Sequence, residues 1–394
     1  MHALTPQNTG ARIARARKLR RLSQRELASL SAVSYSTLTK VEQDRLPASP
    51  SVLGALARAL SMPVEDLTGQ PYIEDLQADA LDGLIHPIRE AMNLYDVGVD
   101  VEVRPRPLGE LADQAEALCA EVRATNIKKV AAELPSLIID ATAIAHTETS
   151  DRAWQVLASS YRTAYDVTAK LGYLDLCTVA LDRLDWAAHR ASDPILSSMR
   201  QYMRALAYLR SADYATGKRL IAMGQRILEQ APAGRERDVI AGQLHLGASV
   251  LAGRDKDKDK AEHNLFEADR LAKATGPAEK VHWLSFGPLN VAVHKTSVLA
   301  ELDDYQGAVD SGQKIKLPDT WPRSRSAHHH AEMARSLMWT GRAEGAFKAL
   351  QEARRLAPQQ TRYHPTVRET YAHLDAQKRR LPETFAGYGA WLGR

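Results

Sequence analysis

Apolar positions recur at spacings of three and four along almost the whole 394-residue chain, and strict alternation is nearly absent, so the pattern predicts an all-α protein. The first seventy residues show it in most detail. Ile13, Ala16 and Leu19 predict a helix starting after Thr9, with arginines on its other face. Ser23 followed by Glu26 forms a capping box that opens a helix over about Gln24 to Leu30, and Ser34 opens the next. Leu27, Val33, Leu38 and Val41 supply the buried positions of this pair, leaving Tyr35, Ser36, Thr39 and Lys40 outward. A loop from Asp44 to Pro50 leads to a helix capped by Ser51 with Leu53, Leu56, Ala57 and Leu60 inside. A last short helix begins near Met62 and ends at Gly69 and Pro71. Residues 1–70 are thus expected to form a five-helix domain.

Residues 72–95 read as one connecting helix. The alternating run Val97 to Val103 meets Pro105 and Pro107 and reads as an extended connection, so residues 71–107 are expected to join the first domain to a body over 108–394. Within that body a helix, a tight polar turn and a second helix recur. The turns fall near Gly172, Asp213, Arg254, Asp304 and Gly341, at uneven spacings close to a helical-repeat period. Leu302 to Ala308 and Thr340 to Ala346 are the clearest. These units resemble degenerate tetratricopeptide repeats, which implies an α-solenoid.

Charge changes the picture of the first domain. No acidic residue precedes Glu26, yet Arg12, Arg15, Arg17, Lys18, Arg20, Arg21 and Arg25 do, and residues 1–70 hold ten Lys and Arg against five Asp and Glu. The remainder has 42 against 43, so the basic excess is local. A basic surface beside a two-helix unit whose second helix is polar outside is what phosphate contact and major-groove insertion require. An ordinary αα-hairpin accounts for the two helices but not for the charge.

The run Leu22-Ser23-Gln24-x-Glu26-Leu27-Ala28, with Val33-Ser34-x-Ser36-Thr37-Leu38 and Val41-Glu42 in register, resembles the lambda-repressor-like (Cro and repressor, or xenobiotic-response-element) helix-turn-helix family over about residues 10–68. The resemblance implies a phosphate contact and a supporting role for Gln24, base reading near Ser34, Tyr35 and Ser36, and a pair between Arg17 and Glu42. With Thr39 and Lys40 on the reading face and Arg20 and Arg21 on the flank, these are the candidate DNA-binding residues. Joined to helical repeats, the layout resembles peptide-sensing regulators of Gram-positive bacteria and a large set of actinobacterial regulators. Phe286-Gly287-Pro288-x-Asn290-Val291 with His294, and Ala357-Pro358 before Arg362-Tyr363-His364-Pro365, are more similar to the second set.

Catalytic spacings are absent from the sequence: there is no HExxH, no GxxxxGK[ST] and no GxSxG, so no enzymatic activity and no cofactor is expected. His328-His329-His330 with Glu332 is the one metal-like cluster, and only His328 and Glu332 share a helix face; polar residues at a solenoid surface explain it more simply, and no metal is expected. Asp255 to Lys260 reads as a solvated turn or helix start. Cys119 and Cys177, far apart in helical patterns, read as buried thiols in a reducing cytosol. No run approaches the length of a membrane span and the first ten residues carry no apolar signal core, so a cytoplasmic protein with no membrane partner is expected.

Side chains four apart on the first helix of each repeat would share the concave side of a solenoid. Tyr161 with Tyr165 and Arg204 with Tyr208 are such pairs, the tyrosines serving equally as core. Asn290 with His294, and Arg325 with His329 on the next repeat, are the candidate ligand-binding set, the same groups being able simply to bond neighbouring helices. The sequence therefore points to a regulator that binds double-stranded DNA as a homodimer on an inverted repeat, with a repeat body for dimerisation and for sensing a peptide or small-molecule effector. A repeat-scaffold or adaptor protein is the alternative.

Overall fold

The computed structural model describes residues 8–97, 104–148, 150–377 and 384–393. The stretch read as an extended connection falls mainly on 98–103, and most of the segment read for a signal core falls on 1–7; both lie outside the described residues. Among the described residues the regular elements are helices, with one isolated antiparallel bridge between Ala278 and Phe286. No described helix is long and apolar enough to cross a membrane.

The head comprises α1 (Thr9–Leu19), α2 (Gln24–Ser31), α3 (Tyr35–Glu42), α4 (Pro50–Ala59) and α5 (Val64–Thr68). Local chemistry sets each start. Ser23 and Glu26 form the capping box of α2, and Ser34 accepts from the Thr37 N–H to open α3. Ser49, not Ser51, caps α4, because Pro50 takes the first helical position, where its missing N–H costs nothing. Ile13, Leu27, Leu38, Val41, Leu53, Leu56, Leu60 and Leu67 make the core. Leu19 lies outside it, 73% exposed. Steps of three advance a helix by 300°, so by Leu19 the stripe begun at Ile13 has rotated about 120° from the core.

Next come α6 (Ile73–Ala78), a 3-10 turn (Asp82–Leu84) and α7 (Ile85–Asn93), where the apolar spacing predicts a single helix. Leu76 and Leu81 are five apart, which on a continuous helix sets them about 140° apart. The break, with Ala80 at φ 53, lets both join Ile85, Ile88 and Met92 in the core shared with the following helices.

The body opens with α8 (Leu108–Ala124) and α9 (Ile127–Thr147) and continues as five helical hairpins: α10 (Asp151–Leu171) with α11 (Leu174–Arg190), α12 (Pro194–Arg210) with α13 (Tyr214–Leu228), α14 (Arg235–Arg254) with α15 (Lys258–Thr275), α16 (Pro288–Glu301) with α17 (Tyr305–Gly312), and α18 (Arg323–Trp339) with α19 (Ala343–Leu356). All five turns anticipated from the sequence are the hairpin turns. Gly172 ends α10 at φ 88, while Asp213, Asp257 and Asp304 cap the second helices of their hairpins. The Asp255 to Lys260 run is such a turn and helix start; Asp255 also pairs with Lys218, and Lys256 with Asp303. Close packing needs small residues. A Cβ on Gly242 would stand 2.0 Å from the Phe286 ring, and one on Gly312 would meet the Met333 sulfur at 2.2 Å.

The longer spacing before the fourth turn has a structural cause. Between α15 and α16 the chain adds a loop with a 3-10 turn (Val281–Trp283) that crosses to the first half of the body. There Arg123 donates to the Trp283 carbonyl at 2.6 Å, Trp283 donates to Glu116 at 2.7 Å, and Arg162 donates to the His282 carbonyl.

The last helices, α20 (Pro358–Arg362), α21 (Pro365–Ala376) and α22 (Thr384–Trp391), return to α6 and to the start of the body, where the Lys128 N–H at the head of α9 donates to Gln359 at 3.1 Å. Arg362 pairs with Asp79 at 2.9 Å, Tyr363 donates to Asp79, and Arg368 pairs with Asp75. The hairpins therefore curl until the two ends of the array meet around an interior cavity. The head rests on the array through α4, Arg58 donating to the Ala212 carbonyl, and through Thr9, which donates to Glu369 on α21.

Candidate nucleic-acid interface

The second helix of the head, α3, is held from below by a buried polar knot. Arg17 grips Glu42 with two parallel bonds, Nε to Oε1 at 2.7 Å and Nη2 to Oε2 at 2.8 Å, and its Nη1 donates to the Leu22 carbonyl at 2.8 Å. Gln24 Nε2 donates to Glu42 Oε2 at 2.8 Å. Burial pushes the Glu42 carboxyl up, but hydrogen bonds from Arg17 and Gln24, with the charge of Arg17, outweigh it and hold the group below its usual range. One carboxylate at the end of α3 thus ties that helix to α1 and to the start of α2. The pair anticipated between Arg17 and Glu42 is present, and the Gln24 amide is bonded to the same carboxylate.

On the outer side Tyr35 is 48% exposed, Ser36 and Lys40 are exposed, and the Arg25 guanidinium lies 5.7 Å from the Tyr35 ring centroid. That cation–π contact, between residues on different helices, could not be read from spacing and adds Arg25 to the face. Ser34 spends its hydroxyl on the helix: it caps α3 and sits 2.8 Å from the Thr37 hydroxyl. Thr39 departs from the expected outward position; it is half-buried and its hydroxyl is covered without a partner. Arg20 and Arg21 are exposed on the flank, with Arg20 donating to the Ser61 carbonyl at 3.1 Å. Docking of α1 and α4 against the body leaves the face of Tyr35, Ser36 and Lys40 open.

The other candidate set divides. Arg325 Nη2 donates to Asn290 Oδ1 at 2.8 Å and lies 3.3 Å from His294 Nδ1, which also lies 2.9 Å from the Asn290 carbonyl. These three residues are brought together as the spacing suggests, but Asn290 and His294 are 1% and 8% exposed and are covered rather than presented on an open concave face. His329 does not join them; it meets the Gly312 backbone and is buried. Burial first, then the charge of Arg325, pushes the His294 imidazole down to about 3. Tyr161 and Tyr165 are core residues.

The histidine cluster is interior rather than on a solenoid surface. Glu332 is committed to Arg335 at 2.6 Å, and the His328 ring faces that of His364 at 5.7 Å. Among the described residues no group of three or more His, Cys, Asp or Glu is arranged to hold a metal ion. Both cysteines are free and buried, and burial raises the Cys177 thiol to about 11.

Residues 9–68 match the family model described as a helix-turn-helix domain. That match stops where α5 ends. No curated protein matches the chain. Among solved structures, the crystal structure of Bacillus thuringiensis PlcR in complex with the peptide PapR7 and DNA is similar at 13% identity and a TM-score of 0.34, over 95% of this chain and 100% of that chain.

Proposed function

We propose that the chain is a sequence-specific DNA-binding transcriptional regulator of the actinobacterial type, in which the helix-turn-helix head reads an inverted-repeat operator as part of a dimer. The observation that carries this reading is the face of α3: Tyr35, Ser36 and Lys40 stand open, with Arg25 against the Tyr35 ring, on a short helix fixed from behind by Arg17, Gln24 and Glu42, and Arg20 and Arg21 lie on the flank. Such a face sets side chains against base edges while the arginine flank neutralises phosphates. A single head of this size covers too little DNA for tight specific binding, and two half-sites about one helical turn apart supply the rest.

In this reading the body, a tetratricopeptide-like array, carries the dimer contact and an effector site, and the protein works in the cytoplasm without catalysing a reaction. Selection from random duplexes by the full-length protein tests it. An enriched sequence with two-fold symmetry, bound with submicromolar affinity at physiological salt and far more tightly than random DNA, is the expected result. No enrichment would leave a scaffold or adaptor role for the chain.

A further inference from the structure

Closure of the array leaves a cavity of about 490 Å³ at its centre. Its walls come from both halves of the body, α10 and α12 on one side and α18 with α20 and α21 on the other, and the loop from Trp283 to Ser285 contributes as well. Part of the lining belongs to the head: Pro47 to Pro50 and Leu53 before and within α4, and Val64, Glu65 and Thr68 in α5. The space is thus bounded by the head and by the repeat array together.

The lining is unbalanced in charge. Seven Arg and Lys reach it, against four Asp and Glu. Three of the cations are satisfied: Arg123 by Asp166 at 3.0 Å, Arg254 by Glu301 at 2.7 Å, and Arg335 by Glu301 and Glu332. Among the described residues, Arg162, Lys170, Arg210 and Arg325 have no carboxylate within ion-pair distance, and Asp166, already bonded to Arg123, acts on Arg162 and Lys170 through its charge alone. Arg162 is 2% exposed and gives one N–H to the His282 carbonyl, while its Nε and Nη2 find nothing. Arg325 reaches Asn290 with one nitrogen and its Nε is likewise unbonded. Lys170 gives its one hydrogen bond to the neutral Gln360 oxygen at 2.6 Å.

A folded chain does not keep buried guanidinium N–H donors unbonded without cause, because a buried donor without a partner is costly, and here the one carboxylate of Asp166 is shared among Arg123, Arg162 and Lys170. Aromatic and aliphatic walls come from Tyr165, Tyr202, Leu206, Leu284 and Trp339, and neutral polar groups such as Gln243, His328, Gln360 and His364 stand between them. The volume falls in the range of cavities that enclose a small organic molecule and is too confined for a long extended peptide.

We propose that this cavity binds a small organic anion, an apolar or aromatic body carrying a carboxylate or phosphate, with Arg162 and its cationic neighbours answering the charge and the head contacting the same ligand. Both acid groups accept the forked N–H pair of arginine, so the chemistry is shared and the source is left to the test. The consequence for transcription rests on the DNA-binding reading; the site itself does not. Binding of the anion shifts the docked position of the head by whatever difference in affinity the docked and undocked forms show.

The test uses the full chain without DNA and four probes: 2-naphthoate, 2-naphthyl phosphate, the uncharged 2-naphthamide and inorganic phosphate. At least one aryl anion should bind saturably below millimolar concentration by calorimetry and raise the melting temperature, with the amide roughly tenfold weaker or more. Inorganic phosphate, lacking the body, should bind more weakly than naphthyl phosphate. Arg162→Gln and Arg210→Gln should each weaken the anion by roughly tenfold or more, while Arg15→Gln on the exposed side of α1 should not. If circular dichroism shows that Arg162→Gln fails to fold, the half-buried Arg210 decides. Amide binding as tight as the anions, wild-type affinity in folded variants, or no saturable binding of either aryl anion overturns the proposal. Because no DNA is present, these outcomes leave the operator selection unaffected, and a failed selection leaves the anion site standing.

Discussion

Arg58 Nη1 donates to the Ala212 carbonyl at 2.7 Å, and on the same helix a Cβ added to Gly54 would stand 2.6 Å from the Cβ of Ala212. Through α4 the head is therefore seated on the hairpin turn between α12 and α13 by a hydrogen bond and by the absence of a side chain. Gly54→Ala separates helix stability from docking, since alanine improves an interior helix position by about 1 kcal/mol while its methyl collides with the turn. The full-length variant should keep its helical content and melting temperature but exchange amide hydrogens faster in α4 and over residues 211–213. Arg58→Ala should act in the same direction. Wild-type exchange in both variants would mean that the seat lies elsewhere.

The knot beneath α3 gives a second expectation. Removing Arg17 strands the Glu42 carboxylate, whose side chain is 5% exposed, and truncating one partner of a buried pair costs about 3–5 kcal/mol. Arg17→Ala should therefore lower the unfolding transition of the head far more than Arg15→Ala, and should weaken operator binding with it. Glu42 is held below its usual pKa, so its contribution is complete above the unfolded value of about 4.3 and fades as pH falls through the folded value. Glu42→Gln should lack that acid-limited component. Melting curves of both variants between neutral pH and pH 3 are the check.

The face of α3 gives a third. Tyr35 and Lys40 point away from the head while Arg20 and Arg21 lie on its flank. Tyr35→Ala and Lys40→Ala should each cost about 1–3 kcal/mol on the selected sequence and little on random DNA, whereas the flank changes should weaken both and flatten the salt dependence. The structure adds Arg25→Ala to the first group, because its guanidinium supports the Tyr35 ring. Equal losses on both kinds of DNA for all five would dissolve the distinction.

What could be read from the chain was local. Ser23 with Glu26, Ser34, Gly69 and the five hairpin turns are set by residues within one helical turn of each other, and sequence spacing captures such chemistry directly. Even there a neighbour altered the outcome, as Pro50 moved a cap from Ser51 to Ser49. Asn290, His294 and Arg325 were brought together across two repeats because equal spacing on adjacent helices puts them at one level. Their burial, and the turning away of His329, depend on what covers them. The closure of the array was out of reach: Arg362 and Asp79 lie 283 positions apart, and neither is distinctive by itself. The cavity follows from that closure, so its unanswered arginines had no signature in sequence; Arg162 lies in an ordinary helical pattern.

The interior histidines give the last expectation. Burial, then the charge of Arg325, pushes His294 down to about 3; burial, then the charge of Lys170, pushes His364 to about 4; and burial, with the charges of His330 and Arg325, lowers His329 to about 4. Unfolded, each would titrate near 6.5. Between that value and the folded ones the unfolded chain binds more protons, so stability is full above about 6.5 and falls as pH drops, by up to about 1.4 kcal/mol per pH unit for each group. The interval from pH 6.5 to 5 lies above the range in which most carboxylates titrate, which isolates the histidine contribution. Urea unfolding of the full chain should show a clear loss of midpoint across it. His294→Gln and His364→Gln remove the titrating group while keeping a hydrogen-bonding side chain, and each should flatten the slope even where it lowers stability at neutral pH. A slope equal to that of the wild type in both would mean that these imidazoles are hydrated and accept protons in the folded state.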